Sequence, residues 1–270
     1  VFVRSNSADS SLVRLLSPMN FFIGLLPFVK FWQKTVIILI NVFTVVIAWE
    51  MRANTLNVLM PCVIAFVAYN KSTSLVFVIG KLRGSILASL IVMIVLGVTG
   101  VFNSYTYFLA RFNTGNEILA ELLADSRSGI YLDVFNALIR SDRVFFGLGI
   151  GAKVETHLSL ISHSGYSQIY SAGRIAAEAG ILNYLQWCGV LGALIVVVLY
   201  LKISFGLWTP KSGFARYLSL WIIFKLFMLF FEERIQFNLV TIFPWVVLSV
   251  ATLYRSKKDL LDEELKQRVR

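Results

Sequence analysis

Long apolar runs without charge alternate with short polar segments along most of the chain. A helix that crosses the hydrocarbon core of a bilayer needs about 20 mostly apolar residues, and about six runs reach or approach that length. The runs are continuously apolar, whereas the strands of a membrane barrel alternate between apolar and polar residues. The six predicted spans are Thr35–Trp49, Ala53–Asn70, Gly84–Ala110, Ile181–Leu201, Tyr217–Phe231 and Ile235–Tyr254.

The composition agrees with this pattern. Of the 270 residues, 57% are hydrophobic and 15% are charged, and the mean hydropathy is +0.75. A soluble domain averages about 45–50% apolar and about 25% charged residues, so a soluble enzyme is nearly excluded. Disorder is excluded as well, because it requires low hydrophobicity. Both cysteines, Cys62 and Cys188, lie in apolar runs, which indicates neither a disulfide framework nor a metal site. The predicted fold is an all-α, polytopic membrane protein.

The N-terminal 34 residues differ from the rest. Leu15–Val29 is apolar but contains Pro18 and Pro27, so we expect a truncated or broken span there. The chain begins at Val1 without a signal peptide, and we expect it to be the C-terminal part of a longer protein. The predicted organisation is an N-terminal segment (1–34), about three spans (35–110), a large loop (111–180), about three more spans (181–254) and a tail (255–270).

Charge predicts the orientation of the spans. The formal net charge is +10, and in a membrane protein such an excess marks cytoplasmic loops rather than nucleic-acid binding. The tail opens with Arg255, Lys257 and Lys258, which favours a cytoplasmic C-terminus. Counting back through alternating spans places the basic segments 71–83 and 202–216 on the same side. The large loop is nearly neutral and falls on the opposite side.

The large loop is the strongest candidate for function, because loops beyond about 12–15 residues are usually functional or disordered. Its pattern predicts two amphipathic helices, the second capped by Ser128 and carrying Tyr131, Phe135 and Leu138 on one side. The run Gly147-Leu-Gly-Ile-Gly151 follows. It is either a plain turn or a tight path that approaches a ligand closely, and no Gly-Lys-Ser/Thr follows to make it a P-loop.

The order of motifs resembles the C-terminal portion of the bacterial O-antigen polymerase/ligase family. The family pattern is an arginine before a helix with an aromatic residue, a Gly-x-Gly turn, a polar stretch, and a span that opens with spaced glycines. Many relatives place His-Asn just before that span; here Glu178 stands in that region and His163 lies farther upstream, which is closer to the polymerase side. The matching segments are Trp49-Glu-Met-Arg52, Arg127-Ser-Gly-Ile-Tyr131, Gly147-Leu-Gly149, Glu178-Ala-Gly-Ile-Leu182 and Gly189-Val-Leu-Gly192.

The resemblance implies a fold of the GT-C type in the bacterial inner membrane, with the large loop in the periplasm. It implies a glycosyltransferase that polymerises oligosaccharide repeat units carried on undecaprenyl pyrophosphate, with inversion and without a metal or other cofactor. The implied partners are this lipid-linked oligosaccharide, membrane lipids and a chain-length regulator, but not nucleic acid.

Arginine presents a planar set of donors that suits the oxygens of a departing pyrophosphate. The acceptor hydroxyl must lose a proton as it attacks, which a carboxylate or imidazole can accept. The catalytic candidates are Glu178 and His163; the substrate-binding candidates are Arg52, Arg127, Arg140, Arg143 and Arg174.

Each candidate also has a plainer interpretation. Arg52 can anchor a helix end at the headgroups, and Arg127 can pair with Asp125 or Asp133. Glu178 can cap the following helix, and His163 can be an ordinary loop residue.

Other functions stay open at the level of sequence. A ligase of the same family would move the glycan to another acceptor. A polysaccharide transporter or flippase would be favoured by broken helices and by charges within the membrane. The clear intramembrane charge is Lys225, which either faces a cavity or extends to the inner end of its span. An assembly subunit without chemistry is a further reading.

Overall fold

The computed structural model describes residues 15–47, 52–70, 77–81, 84–85, 92, 126–154, 179–231 and 239–269. Regular structure within these ranges is helical, which confirms the all-α prediction for the described part of the chain. The elements are a 3-10 helix over Ser17–Leu25, α1 (Phe31–Ile47), α2 (Arg52–Tyr69), α3 (Ser126–Arg140), α4 (Gly180–Leu207), α5 (Gly213–Phe231), α6 (Leu239–Tyr254), a 3-10 turn over Arg255–Lys257 and α7 (Leu261–Val269).

Three helices are long and apolar enough to cross a membrane, namely Gly180–Leu207, Gly213–Phe230 and Leu239–Lys257. The first has the highest mean hydropathy, 2.4 over 18 residues. Two shorter apolar helices cover Phe31–Ile47 and Thr55–Tyr69. Most of the predicted span Gly84–Ala110 lies outside the described residues; positions 84, 85 and 92 are helical. The protein is therefore a helical, membrane-embedded protein with three candidate spans in its described part.

The chain divides into two compact units, one formed by residues 1–83, 198–228 and 236–270 and the other by residues 84–197 and 229–235. In the first unit α5 is buried around almost its whole circumference. Its Trp221 packs edge-on against Phe21, with ring centroids 5.0 Å apart, and Phe243 of α6 contacts both rings. This aromatic cluster joins the N-terminal segment to α5 and α6.

The N-terminal segment forms a 3-10 helix, with Pro18 in its first turn and Pro27 just after its end. At about 2 Å per residue its nine residues rise about 18 Å, less than the ~30 Å of a hydrocarbon core. Two tyrosine hydroxyls fix it from neighbouring helices: Tyr217 donates to the Phe21 carbonyl at 3.0 Å, and Tyr69 donates to the Gly24 carbonyl. The segment is therefore an internal packing element.

The C-terminal tail folds back onto the start of α5. The carboxylate of Asp262 accepts hydrogen bonds from the Ser212 hydroxyl at 2.6 Å and from the backbone N–H groups of Gly213 and Phe214 at 2.9 and 3.0 Å. The first N–H groups of a helix have no partner within the helix, and an anion there also interacts favourably with the helix dipole. A side chain about fifty residues away in sequence thus caps α5.

Replacing Asp262 by alanine is expected to lower the free energy of unfolding by about 2 kcal/mol. The change removes the acceptor of the Ser212 hydroxyl and of the Gly213 and Phe214 N–H groups. Replacing the neighbouring Glu263, which is exposed, removes the same charge and serves as the matched control. Thermal unfolding of the two variants in detergent measures the difference. Equal transition temperatures for the two would contradict the capping role.

The second unit is built around α3 and the first part of α4. Leu138 of α3 is fully buried, Tyr131 and Phe135 are half-buried, and the Tyr131 hydroxyl donates to the Phe230 carbonyl at 2.6 Å. The predicted apolar side of this helix is confirmed. The predicted cap is wrong, because α3 begins at Ser126 and Ser128 lies within its first turn.

Candidate functional site

The end of α3 brings two of the predicted arginines to one place. Asp142 adopts a positive φ of 53°, and the N–H groups of Asp142 and Arg143 donate to the carbonyls of Ile139 and Leu138. This pair of bonds is the Schellman arrangement that closes a helix C-terminus. Asp tolerates the left-handed conformation better than most residues. The motif turns the chain sharply between Arg140 and Arg143, so both flank the same helix end.

The following segment runs beside a break in α4. Gly189 has φ 67° and ψ −168°, a conformation open essentially only to glycine, and it divides α4 into two half-helices. Four backbone hydrogen bonds satisfy the groups that the break exposes. They run from Leu148 N to Gln186 O, from Gly149 N to Trp187 O, from Val190 N to Val144 O and from Leu191 N to Phe145 O, at 2.7 to 3.3 Å.

The glycine run makes this pairing possible. Gly147, Gly149 and Gly151 all have positive φ, between 78° and 94°. A Cβ atom on Gly147 would collide with the backbone of Trp187 to Gly189, whereas a Cβ on Gly149 or Gly151 would meet open space. From the sequence this run was either a plain turn or a close approach to a ligand. The approach at Gly147 is made to the broken helix of the protein itself.

A cavity of about 400 Å³ lies between the end of α3 and this segment. We call it the basic cavity. Three of its side chains are cationic and one is anionic, so its formal charge is +2 (three minus one). Arg140, Arg143 and Lys153 form no ion pair within the described part of the chain. The basic cavity is lined by Asp133, Asn136, Ala137, Arg140, Ser141, Arg143, Leu148, Ala152 and Lys153.

The wall of the cavity is tied to α4. The side-chain amide of Gln186 donates to the carbonyl of Ala152, and Gln186 itself is buried. Leu148, another lining residue, donates its N–H to the Gln186 carbonyl. One residue of α4 thus fixes both ends of the glycine segment, and with them the positions next to Arg143 and Lys153.

The structure brings two of the predicted site residues together and does not describe the side chains of the others. Arg140 and Arg143 lie together in the basic cavity. Arg52 begins α2 and Arg127 lies in the first turn of α3, but their side chains are outside the described residues. Arg127 stands 13 residues before Arg140, about 20 Å along the helix, and so lies at the opposite end of α3 from the cavity. Three candidates fall wholly outside the described residues: His163, Arg174 and Glu178.

Lys153 and Asn136 were not predicted as site residues. Lys153 stands two positions after Gly151, and a basic residue so close to the glycine run could have been recognised as a binding candidate. Asn136 lies four residues before Arg140, on the same face of α3, which a helical reading could have found.

Lys225 is a buried cation of the first unit. Its side chain is 3% exposed, its Nζ donates to Asn57 Oδ1 of α2 at 3.2 Å, and it lies 5.7 Å from the centre of the Trp221 ring. It stands 12 residues after Gly213 and 6 before Phe231, and so is nearer the second end of α5. Its ammonium is bonded to Asn57 and does not extend toward the start of α5.

No protein-family model matches the chain, and comparison with curated proteins and with solved structures gives no significant similarity. The residues of the basic cavity themselves indicate what it can bind. Two guanidinium groups and an ammonium, with hydroxyl and amide groups beside them, are donors that suit phosphate or diphosphate oxygens. One carboxylate among three cations leaves the balance in favour of an anionic ligand.

Proposed function

We propose that this protein is a membrane glycosyltransferase that polymerises oligosaccharide repeat units carried on a polyprenyl diphosphate such as undecaprenyl pyrophosphate. The observation that carries the proposal is the basic cavity, in which Arg140, Arg143 and Lys153 can hold the diphosphate of the donor. The order of motifs that resembles the O-antigen polymerase/ligase family supports the polymer-forming reaction.

The arginines would act on the leaving group. Transfer of the glycan breaks the bond between its anomeric carbon and the diphosphate oxygen, and negative charge grows on the departing diphosphate. Fixed cations stabilise such charge more in the transition state than in the bound donor, which accelerates the reaction. An acceptor hydroxyl attacks the opposite face of the anomeric carbon, and Glu178 or His163 accepts its proton. One displacement of this kind inverts the anomeric centre.

The membrane arrangement belongs to the same proposal. We place the protein in the bacterial inner membrane, with about six spans in a fold of the GT-C type, a periplasmic loop over 111–180 and a cytoplasmic C-terminus. The concentration of basic residues between the spans and in the tail supports this orientation. The basic cavity would then face the periplasm, where lipid-linked repeat units are available.

A transporter or flippase is a second candidate, because α4 is broken at Gly189 and Lys225 is buried within α5. In transporters the backbone groups at a break commonly bind the substrate or ion. Here the four backbone bonds to residues 144–149 occupy those groups. The break therefore serves the packing of the basic cavity, which favours the transferase.

The double variant Arg140→Ala, Arg143→Ala is expected to reduce polymer formation by about 100- to 10,000-fold, because it removes two charge-assisted hydrogen bonds of about 1.5–3 kcal/mol each. Purified protein in nanodiscs is supplied with lipid-linked repeat units, without any gradient, and product length is read on gels. Removing two exposed lysines elsewhere, with Lys30→Ala and Lys266→Ala, is the matched control. Unchanged polymer in the arginine variant would refute the proposal, and movement of unextended donor across the bilayer would favour the transporter.

A further inference from the structure

Large exposed apolar side chains stand next to lining residues of the basic cavity in the sequence. Ile139, Phe145, Phe146 and Ile150 are 56%, 63%, 79% and 87% exposed. We call these four residues the apolar tip. They lie on the same short stretch that carries Arg140 and Arg143. Exposed phenylalanines are unfavourable in water, whereas phenylalanines next to cations are typical of elements that bind the surface of a lipid bilayer.

The hydrogen bonds to α4 fix where this stretch lies along a candidate span. Residues 144–149 pair with Gln186 to Leu191, on both sides of the break at Gly189. The half-helix that follows, from Val190 to Leu207, has about 18 residues and is about 27 Å long, close to the thickness of a hydrocarbon core. This half-helix is therefore long enough to cross the core by itself, and the break stands at one of its ends.

Trp187 stands next to the break, and its ring is only partly exposed. Tryptophan is enriched where the hydrocarbon meets the headgroups. The neighbouring first half-helix contains Asn183 and Gln186, which are polar and buried in the protein. Both observations agree with a membrane boundary at this level, which puts the apolar tip at the same boundary.

We propose that the apolar tip inserts into the boundary between headgroups and hydrocarbon, and that Arg140, Arg143 and Lys153 bind phosphates of anionic phospholipids at the same level. The partner is the lipid bilayer around the protein. Charge complementarity supports this choice, because the cations have no ion-pair partner among the described residues and phospholipid headgroups supply anions there. The inference goes beyond the proposed transferase and holds whether or not the cavity takes a donor.

Site-directed spin labelling tests the depth of the tip. Cys62 and Cys188 are replaced by serine, a nitroxide is attached at Phe146→Cys, and the protein is placed in nanodiscs. Oxygen, which concentrates in hydrocarbon, and a water-soluble nickel chelate are compared as relaxing agents. Labels at Val198→Cys, exposed within the half-helix after the break, and at Lys266→Cys, exposed on the polar α7, mark the bilayer interior and water.

The expected oxygen-to-nickel accessibility ratio at position 146 lies well above that at position 266 and approaches that at 198. A ratio equal to that at 266 would overturn the proposal. So would a label at 146 that neither agent reaches, because a second copy of the chain or another protein segment would then cover the tip. Unchanged unfolding temperatures of the labelled variants confirm that they are folded.

The contact between the cations and anionic headgroups is tested with the same spin label at position 146. Adding phosphatidylglycerol to phosphatidylcholine nanodiscs is expected to raise the ratio at position 146, and the variants Arg140→Gln and Arg143→Gln together should abolish that rise. A rise that persists without the arginines would overturn the headgroup contact. Failure of the transferase assay leaves this result unaffected, so the two proposals fail separately.

Discussion

Replacing Gly189 by alanine is expected to lower the free energy of unfolding by about 2–6 kcal/mol. Its backbone conformation costs a residue with a side chain about 1–3 kcal/mol, and overpacking typically adds about 1–3 kcal/mol. The added Cβ would strike the backbone of Phe145, which is rigid because its carbonyl accepts from Leu191. Gly147→Ala should behave in the same way, since its Cβ would meet the facing backbone at Gly189. Chemical unfolding in detergent, followed by tryptophan fluorescence, measures the loss.

Gly149 and Gly151 provide matched controls within the same run. Both have positive φ, but a Cβ on either would meet nothing within 4 Å. Their alanine variants should therefore carry only the conformational cost, about 1–2 kcal/mol. The difference between the two pairs isolates the close approach of the two backbones. Equal losses at Gly189 and Gly149 would mean that the glycine run is a plain turn. Gly189→Ala and Gly147→Ala should also reduce anion binding by the basic cavity, because the displaced glycine segment carries Leu148 and Ala152 of the cavity wall.

The sequence predicted the apolar helices well, because each has to cover its length with apolar residues. Predicted and observed ends of α2, α5 and α6 agree within about four residues. The exception is α4, which continues to Leu207 although Ile181–Leu201 was predicted. The prediction stopped at Lys202 because it is charged. Lysine can keep its ammonium in water while its stem stays apolar, so one lysine near the end of a span does not end the helix.

The break in α4 could not be predicted as a break. The apolar run continues through Gly189 without a charge or proline, and glycine is tolerated within membrane helices. What interrupts the helix is the pairing with residues about forty positions earlier, near Gly147. Hydrophobic periodicity carries no information about such a contact. The glycine run therefore signalled a close approach without showing what it approaches.

Some residues of the basic cavity could be predicted from the sequence, but their arrangement could not. The sequence predicts phosphate-binding arginines in the large loop, and Arg140 and Arg143 are among them. The sequence could not show that the Schellman turn at Asp142 would bring these two together, or that the length of α3 would set Arg127 apart. The same limit applies to Lys225, whose partner Asn57 lies far away in sequence.

Replacing Arg216 by methionine is expected to cost about 2–4 kcal/mol of stability. This arginine is buried at the start of α5, and its guanidinium donates to three backbone carbonyls, those of Ala68 at 2.7 Å, Pro210 at 2.6 Å and Asn70 at 3.5 Å. Ala68 and Asn70 belong to the end of α2, where the last carbonyls have no partner within the helix. Methionine keeps much of the volume but leaves the buried Ala68 carbonyl without its donor, and an unsatisfied buried acceptor costs about 1–3 kcal/mol. It also removes the bonds to the half-buried Asn70 and the exposed Pro210, which water can replace in part.

The size of this effect depends on the shape of the guanidinium, and a lysine variant separates shape from charge. An ammonium at position 216 is a single point and cannot reach three carbonyls that lie around different edges of the guanidinium, so Arg216→Lys should lose an intermediate amount of stability. Lys211→Met is the control, because that lysine is 71% exposed and pairs with Asp259 on the surface, where an ion pair contributes about 0–1 kcal/mol. Thermal and chemical unfolding in detergent should rank the losses as methionine at 216, lysine at 216, then methionine at 211. Full stability with lysine at 216 would show that charge alone suffices, and that the end of α2 is held by something other than the three directed bonds.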